Sequence, residues 1–169
     1  MAGNKYIKNN AGVLTEEAAI QTSTGAGDAG KIPALDAAGR IDNSMMPVGI
    51  GADTASIVSS ENLAAGDLVN VWNDGGTAKV RKADAATTGK EAHGFVLSSV
   101  TSPASATVYF EGPNTAVTGL TPGNRYLATT AGLTTSTAPS GTGNVVQKVG
   151  IAISAVNLNF EAQQPIVLA

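Results

Sequence analysis

The chain has 169 residues, of which 43 % are hydrophobic, 14 % charged and only 4 % aromatic, a composition that allows one domain with an appended segment. The net charge of -3 provides no basic field that would attract nucleic acid. The sequence contains no cysteine, which excludes disulfides and thiolate metal sites.

Residues 1–52 show no sustained hydrophobic period, so we interpret them as an extended N-terminal arm and connector with short ordered pieces. The segment begins without a long apolar run, and we therefore expect neither a signal peptide nor a membrane span. The stretch LTEEAAIQ, residues 14–21, is predicted to form one or two helical turns with Thr15 as the N-cap.

The stretch TGAGDAGKIP, residues 24–33, satisfies two phosphate-binding patterns, G-x-G-x-x-G and G-x-x-x-x-G-K. The second pattern needs Ser or Thr after the lysine to hold Mg²⁺, and here Ile32 follows Lys31. Both patterns need a helix that starts at the glycines, whereas Pro33 favours an extended backbone at Ile32. We therefore expect these glycines to let the chain turn and lie close to a neighbour, without binding phosphate.

Apolar residues recur at irregular spacing in KIPALDAAGRIDNSMMP, residues 31–47. Such spacing suits pockets on another surface better than it suits one face of a helix. We predict that this segment docks on a neighbouring subunit or on another protein, and that six residues make the contact: Ile32, Leu35, Ile41, Met45, Met46 and Pro47.

From residue 53 to residue 169 the pattern changes to short strands separated by turns, and we predict eight or nine strands. The stretches LVNVWN and TAKVRK flank DGG, which indicates a hairpin. In NVVQKVGIAIS, residues 144–154, one strand parity is shared by Val145, Val149, Ile151 and Ile153. The fold class predicted for this region is mainly β, a small antiparallel β-barrel or β-sandwich body.

Charge is distributed unevenly, because the only charged side chains after Gly112 are Arg125, Lys148 and Glu161. A surface of Thr, Ser, Asn and Gly suits burial against copies of the same chain, or a rigid particle that must not attract ions. A neutral polar surface without further meaning is the alternative.

Motifs for catalysis or metal binding are lacking in the sequence. His93 is the only histidine, no carboxylates follow an EF-hand pattern, and no serine lies in a G-x-S-x-G elbow. We therefore predict no catalytic residue, no metal site and no cofactor. An enzyme of the cell envelope is the weakest hypothesis, because it depends only on carboxylates that could meet in three dimensions.

Two segments resemble virion proteins of tailed bacteriophages. AGDAGKIPALDAAGRIDNSMMPVGIG, residues 26–51, resembles a connector that joins an arm to a β-rich body in fibre and head-decoration proteins. TGLTPGNRYLATTAGLTTSTAPSGTGNVVQKVGIAIS, residues 118–154, resembles the carboxyl half of head-decoration, cement and head-fibre proteins.

The resemblance implies a decoration or cement protein that binds the major capsid protein and stabilises the assembled shell. It implies a homo-oligomer, with a trimer favoured and a dimer possible, and no catalytic role. The expected location is the outer surface of the capsid, after synthesis in the host cytoplasm, with neither nucleic acid nor membrane as a partner. The alternative is a short head or tail fibre that binds a host-cell receptor.

Overall fold

The computed structural model describes residues 4–47 and 51–169, and the chain divides into two compact units. These are an N-terminal unit, Met1–Gly51, and a body, Ala52–Ala169. Residues 1–3 and 48–50, which belong to the predicted arm and connector, lie outside the described residues. Strands make up 42 % of the described residues and helix 4 %, which confirms the mainly β class.

The N-terminal unit begins with an antiparallel hairpin of β1 (Lys5–Asn10) and β2 (Val13–Ala18). The helical turns predicted for residues 14–21 are therefore wrong, because most of that stretch is β2. The two-residue connection places Ala11 at a φ of 51°, a conformation that alanine rarely adopts and that the sequence did not indicate. Ion pairs join Lys5 to Glu16 and Lys8 to Glu17 across the strands, so the two glutamates serve the hairpin.

The body contains a closed five-stranded barrel, in the order β3-β5-β4-β6-β7. Its strands are β3 (Thr54–Ser59), β4 (Leu68–Asp74), β5 (Thr77–Lys82), β6 (Gly94–Val96) and β7 (Ser105–Tyr109). The predicted DGG hairpin is confirmed as the β4–β5 connection, with Asp74 opposite Thr77. All pairings are antiparallel except β3 with β5, which closes the barrel.

A five-stranded antiparallel sheet, in the order β10-β9-β12-β13-β8, forms the rest of the body with a two-stranded pair, β11 and β14. The body thus has twelve strands in its described residues, more than the eight or nine predicted, because several have only two or three residues. Their bounds are β8 (Gly112–Asn114), β9 (Gly123–Leu127), β10 (Thr134–Thr135), β11 (Val145–Val146), β12 (Lys148–Ser154), β13 (Asn157–Phe160) and β14 (Ile166–Val167).

Two hydrophobic clusters form the core, and the barrel wall separates them. One contains Val69, Val96 and other aliphatic residues, and the second contains Leu68, Phe95 and the inward residues of the five-stranded sheet. Successive residues of β4 and of β6 therefore contribute to different clusters, as the two-residue period of a strand requires. Phe95 is central to the second cluster, because its ring lies 5.4 Å from that of Tyr109 and 5.5 Å from that of Phe160.

A β-bulge in β12 changes which residues face the core. Lys148 pairs with Tyr126 and Gly150 with Arg125, so Val149 is the extra residue. The parity predicted for residues 144–154 is consequently interrupted. Val145 and Val149 are buried, whereas Ile151 and Ile153 are exposed, so the prediction of one shared face is wrong.

Candidate interaction surfaces

Aspartates close the turns of the connector within the N-terminal unit. The carboxylate of Asp28 accepts the Thr24 backbone N–H at 2.7 Å and the Thr24 hydroxyl at 2.8 Å, and it pairs with the Lys31 ammonium at 2.9 Å. These hydrogen bonds, from the Thr24 N–H first and then from Lys31, hold the pKa of Asp28 far below its usual range. Lys31 is thus already paired, and its pKa is raised by Asp28.

The same arrangement argues against the phosphate-binding patterns of residues 24–33. The Thr24 N–H and the Lys31 ammonium, which an incoming phosphate would need as donors, already donate hydrogen bonds to the Asp28 carboxylate. The helical element here is a single 3₁₀ turn, Ala26–Asp28, which is too short to provide a helix dipole. The positive φ of Gly25 and Gly30 agrees with the prediction that these glycines let the chain turn. The predicted close approach to a neighbour is not seen among the described residues, because a Cβ at Gly25, Gly27 or Gly30 would meet nothing within 4 Å.

Two further aspartates of the connector, Asp36 and Asp42, also accept hydrogen bonds from nearby backbone N–H groups. Asp36 Oδ1 accepts the backbone N–H groups of Ala38 at 2.8 Å and of Arg40 at 2.9 Å. Asp42 caps the second 3₁₀ turn, Asn43–Met45, by accepting the Ser44 N–H at 2.9 Å. Hydrogen bonds from the Ser44 hydroxyl and backbone also lower the pKa of Asp42. Local side-chain-to-backbone bonds of this kind fix turns without a core.

Residues 20–23 hold the connector together. The backbone of Ile20 bonds to Ile32 at 3.1 Å and to Ala34 at 2.7 Å, and the Gln21 amide reaches the Leu35 carbonyl at 2.8 Å. The Ser23 N–H donates to the Ser44 hydroxyl at 2.8 Å. The segments that contain Ile32, Leu35 and Met45 are therefore anchored to one short stretch.

The six predicted contact residues all lie on this framework. Ile32, Leu35 and Ile41 are 49 %, 52 % and 50 % exposed, Met46 and Pro47 are exposed, and Met45 is half-buried. Among the described residues of the unit, Ala34 alone is buried. The unit thus presents its apolar side chains outward.

Sequence reasoning missed three exposed apolar residues of the hairpin, Ile7, Val13 and Leu14. Every residue of β1 and β2 except Tyr6 and Glu17 is exposed, so the strands have no alternation between a buried and an exposed face. Without that alternation, the usual sequence signal for a strand is missing.

The outer face of the five-stranded sheet carries polar and apolar residues together with the half-buried Lys148, which lies opposite Tyr126 on β9. Ile151 lies opposite Asn124 on β9 and Asn159 on β13, and Asn159 lies opposite Pro113 on β8. All four are exposed. Ile153 and Val156 lie at the end of β12 and in the turn after it, and both are exposed. This face is the second candidate for contact with another molecule.

His93, the histidine considered for catalysis, and Trp72 on the barrel have structural partners. His93 is exposed, and its Nδ1 accepts the Val71 N–H at 3.1 Å. Trp72 lies 4.9 Å beneath the guanidinium of Arg81. Within residues 4–47 and 51–169, no three His, Cys, Asp or Glu side chains are grouped as metal ligands. The same residues contain no helix that is long and apolar enough to cross a membrane.

Comparisons with family models, with curated proteins and with solved structures give no match to this chain. The case for a function therefore depends on the residues and surfaces described above.

Proposed function

We propose that this chain is a virion structural protein that attaches to an assembled bacteriophage capsid as a decoration or cement protein. The observation that carries the proposal is the N-terminal unit. It presents Ile32, Leu35, Ile41 and Met46 to solvent on turns that aspartates close, and it has almost no core of its own. A segment with a fixed backbone and outward apolar side chains is suited to docking.

The energetics favour attachment to a repetitive surface. Full burial of a Leu, Ile or Met side chain contributes roughly 1.5–3 kcal/mol, and these residues are already half covered, so each contributes less. Because the turns are already formed, docking orders fewer backbone dihedrals than it would in a free chain. Many identical contacts on one lattice then add through multivalency.

The body supports the same proposal through its surface. The outer face of the five-stranded sheet carries few charges, and Ile151, Ile153 and Val156 are exposed at its β12 end. Such a face suits contact between copies, and we propose a homo-oligomer, a trimer in preference to a dimer. The major capsid protein is the proposed partner of the N-terminal unit. Light scattering that finds only monomer for both free and capsid-released protein would contradict the oligomer.

Co-sedimentation with expanded capsid shells tests the attachment. We expect a chain that lacks residues 1–51 to lose most binding, and the variant I32S/L35S/I41S to lose a large part of it. The matched control is I7S/V13S/L14S, which removes three apolar side chains of the same unit that are even more exposed and lie outside residues 31–47. Unchanged binding by the truncated chain would show that the body attaches instead.

Labelling of the chain on intact particles distinguishes the alternative, a short fibre that binds a host-cell receptor. Label over the whole head lattice is the result expected for a decoration protein. Label confined to the tail tip or to a few head vertices would favour the fibre.

A further inference from the structure

A pocket of about 260 Å³ lies in the body, and a buried arginine side chain, Arg125, forms part of its wall. Three chain segments form its walls, residues 65–67, 116–120 and 132–134, together with the side chain of Arg125. All of these belong to the body, and none belongs to the sheet face or to the N-terminal unit discussed above.

Arg125 is only 7 % exposed and has no acidic partner. Its Nε donates to the Thr134 hydroxyl at 3.2 Å, and its Nη2 donates to the same hydroxyl at 3.1 Å and to the Thr134 carbonyl at 3.2 Å. None of the ion pairs among the described residues includes Arg125, and Nη1 has no acceptor there. A buried charge that lacks a counter-ion is costly. A charged group of this kind in a cleft is a candidate for a ligand-binding site.

Burial lowers the pKa of the Arg125 guanidinium from its ordinary value, because the charged form loses solvent. An arginine nevertheless stays charged at neutral pH. Its fork of N–H groups is held in one orientation by Thr134, so the remaining donor is positioned before any ligand arrives.

The other charged group in the pocket wall is already neutralised. Asp67 Oδ2 accepts the Ala64 N–H at 2.8 Å and pairs with the Lys82 ammonium at 3.0 Å. A Cβ on Gly132 would lie 2.5 Å from Asp67 Oδ1, so glycine allows the opposite wall to lie against this carboxylate. The negative charge of Asp67 is balanced by the positive charge of Lys82. The positive charge of Arg125 therefore remains without a counter-ion.

Aliphatic side chains share the rest of the wall with Thr118 and Thr134, and they would contact the hydrocarbon part of a ligand. Val117 and Leu120 are partly buried against the second core cluster, and Leu133 lines the pocket beside them. A ligand that suits these surroundings has one planar anionic group for the guanidinium and a short hydrocarbon chain for the aliphatic wall.

We propose that this pocket binds a carboxylate carried on a short apolar chain, with the Arg125 guanidinium as its charged partner. Two sources share this chemistry, an acidic side chain of a neighbouring protein and a free organic acid. The proposal does not depend on the proposed function, because it uses none of the residues assigned to attachment.

Titration of the full chain, followed by ¹⁵N NMR, tests the proposal. The probes are butyrate, the neutral isostere 1-butanol, inorganic phosphate and N-acetyl-glutamate N-methylamide, which presents a glutamate side chain in peptide form. We expect butyrate to shift the Arg125 Nε–H resonance and the amides of Gly119 and Thr134 in a saturable way. Phosphate and 1-butanol should each bind at least about tenfold more weakly. The tighter of butyrate and the glutamate derivative identifies the source.

Three variants distinguish a ligand site from a structural arginine. Arg125→Gln should weaken butyrate binding by about tenfold or more, whereas Lys148→Gln, the other cation of the carboxyl half, should leave it unchanged. If Arg125→Gln fails to fold, Thr118→Phe provides the test, because Thr118 is an exposed pocket residue whose enlargement should block entry. Binding that persists in Arg125→Gln or Thr118→Phe, tighter binding of phosphate, or no saturable shift with either carboxylate would overturn the proposal.

Discussion

The two units of this chain reach a defined shape by different means. The body buries aliphatic and aromatic side chains in two clusters on either side of a barrel wall. The N-terminal unit buries only Ala34 among its described residues and depends on backbone bonds that Asp28, Asp36 and Asp42 accept. The contrast shows that shape and stability need not come from the same interactions. The two units should therefore respond to different perturbations.

The largest effect is expected from the core of the body. Phe95→Ala should lower the free energy of unfolding by about 3–5 kcal/mol, because it removes a fully buried ring that packs on Tyr109 and Phe160. Urea unfolding measures the loss. The control Ile153→Ala truncates a side chain that is 61 % exposed, and it should cost less than about 1 kcal/mol. Equal losses would contradict the assignment of the core.

The next effect concerns the bulge in β12. A Cβ on Gly150 would lie 2.1 Å from the Asn159 carbonyl oxygen, and the φ of 141° disfavours any side chain. Gly150→Ala should therefore cost about 3 kcal/mol or more. Gly143→Ala is the matched control, because Gly143 also has a positive φ of 79° but has free space around it. Its cost should be about 1–2 kcal/mol, from backbone strain alone. A larger loss for the control would show that strain dominates over the clash.

A small effect on stability is expected for the exposed residues of the connector. The variant I32S/L35S/I41S should change the unfolding free energy of the body by less than about 0.5 kcal/mol, because these side chains take no part in either core cluster. Urea unfolding followed by tryptophan fluorescence reports on Trp72, which lies in β4 of the body. If the variant lowered the unfolding free energy as much as Phe95→Ala does, the claim that the two units are stabilised by different interactions would be wrong.

The smallest effect should appear on acidification and only in the N-terminal unit. Because the folded pKa of Asp28 is depressed, the contribution of its carboxylate is complete above the ordinary value of about 3.9. That contribution is lost as the pH falls through the lower folded value. We expect the Thr24 amide resonance to stay constant from neutral pH to about pH 4 and to move below it. Asp28→Asn should abolish this movement, and a transition near neutral pH would contradict the assignment.

Local signals in the sequence were sufficient for much of the body. The DGG turn between two alternating stretches predicted the β4–β5 hairpin, because both the turn and the strand period are encoded within a few residues. The sequence left a barrel and a sandwich open, because the choice depends on the parallel pairing of β3 with β5, which are separated along the chain by β4. A local pattern contains no information on such a pairing.

Two predictions from sequence patterns were wrong, one at the bulge in β12 and one in the hairpin of the N-terminal unit. The bulge at Val149 and Gly150 placed Ile151 and Ile153 outside, although their spacing matched that of Val145 and Val149. The hairpin of the N-terminal unit was mistaken for helical turns, because LTEEAAIQ contains good helix formers and its strand has no buried face. Neither outcome has a local signature.

The sequence also identified the apolar residues of the connector but not the reason for their arrangement. Ile32 and Leu35 were singled out by composition and spacing, whereas their support by Ile20 and Gln21 is a tertiary property. The Arg125 pocket was missed altogether. Its significance comes from the burial of Arg125 and from the lack of an ion pair to it within the described body, and only a structure provides both.

The order of the five-stranded sheet has a consequence for aggregation. Its edge strands are β10, with two residues, and β8, with three residues that include Pro113. Proline has no N–H to donate, and so short an edge offers few groups to an incoming strand. The barrel, being closed, has no edge at all. The carboxyl half of the body has few charges, so electrostatic repulsion between copies contributes little to keeping them apart. We therefore expect the short edge strands β8 and β10 to limit the addition of further strands, and so growth into fibrils, even at high local concentrations of the chain.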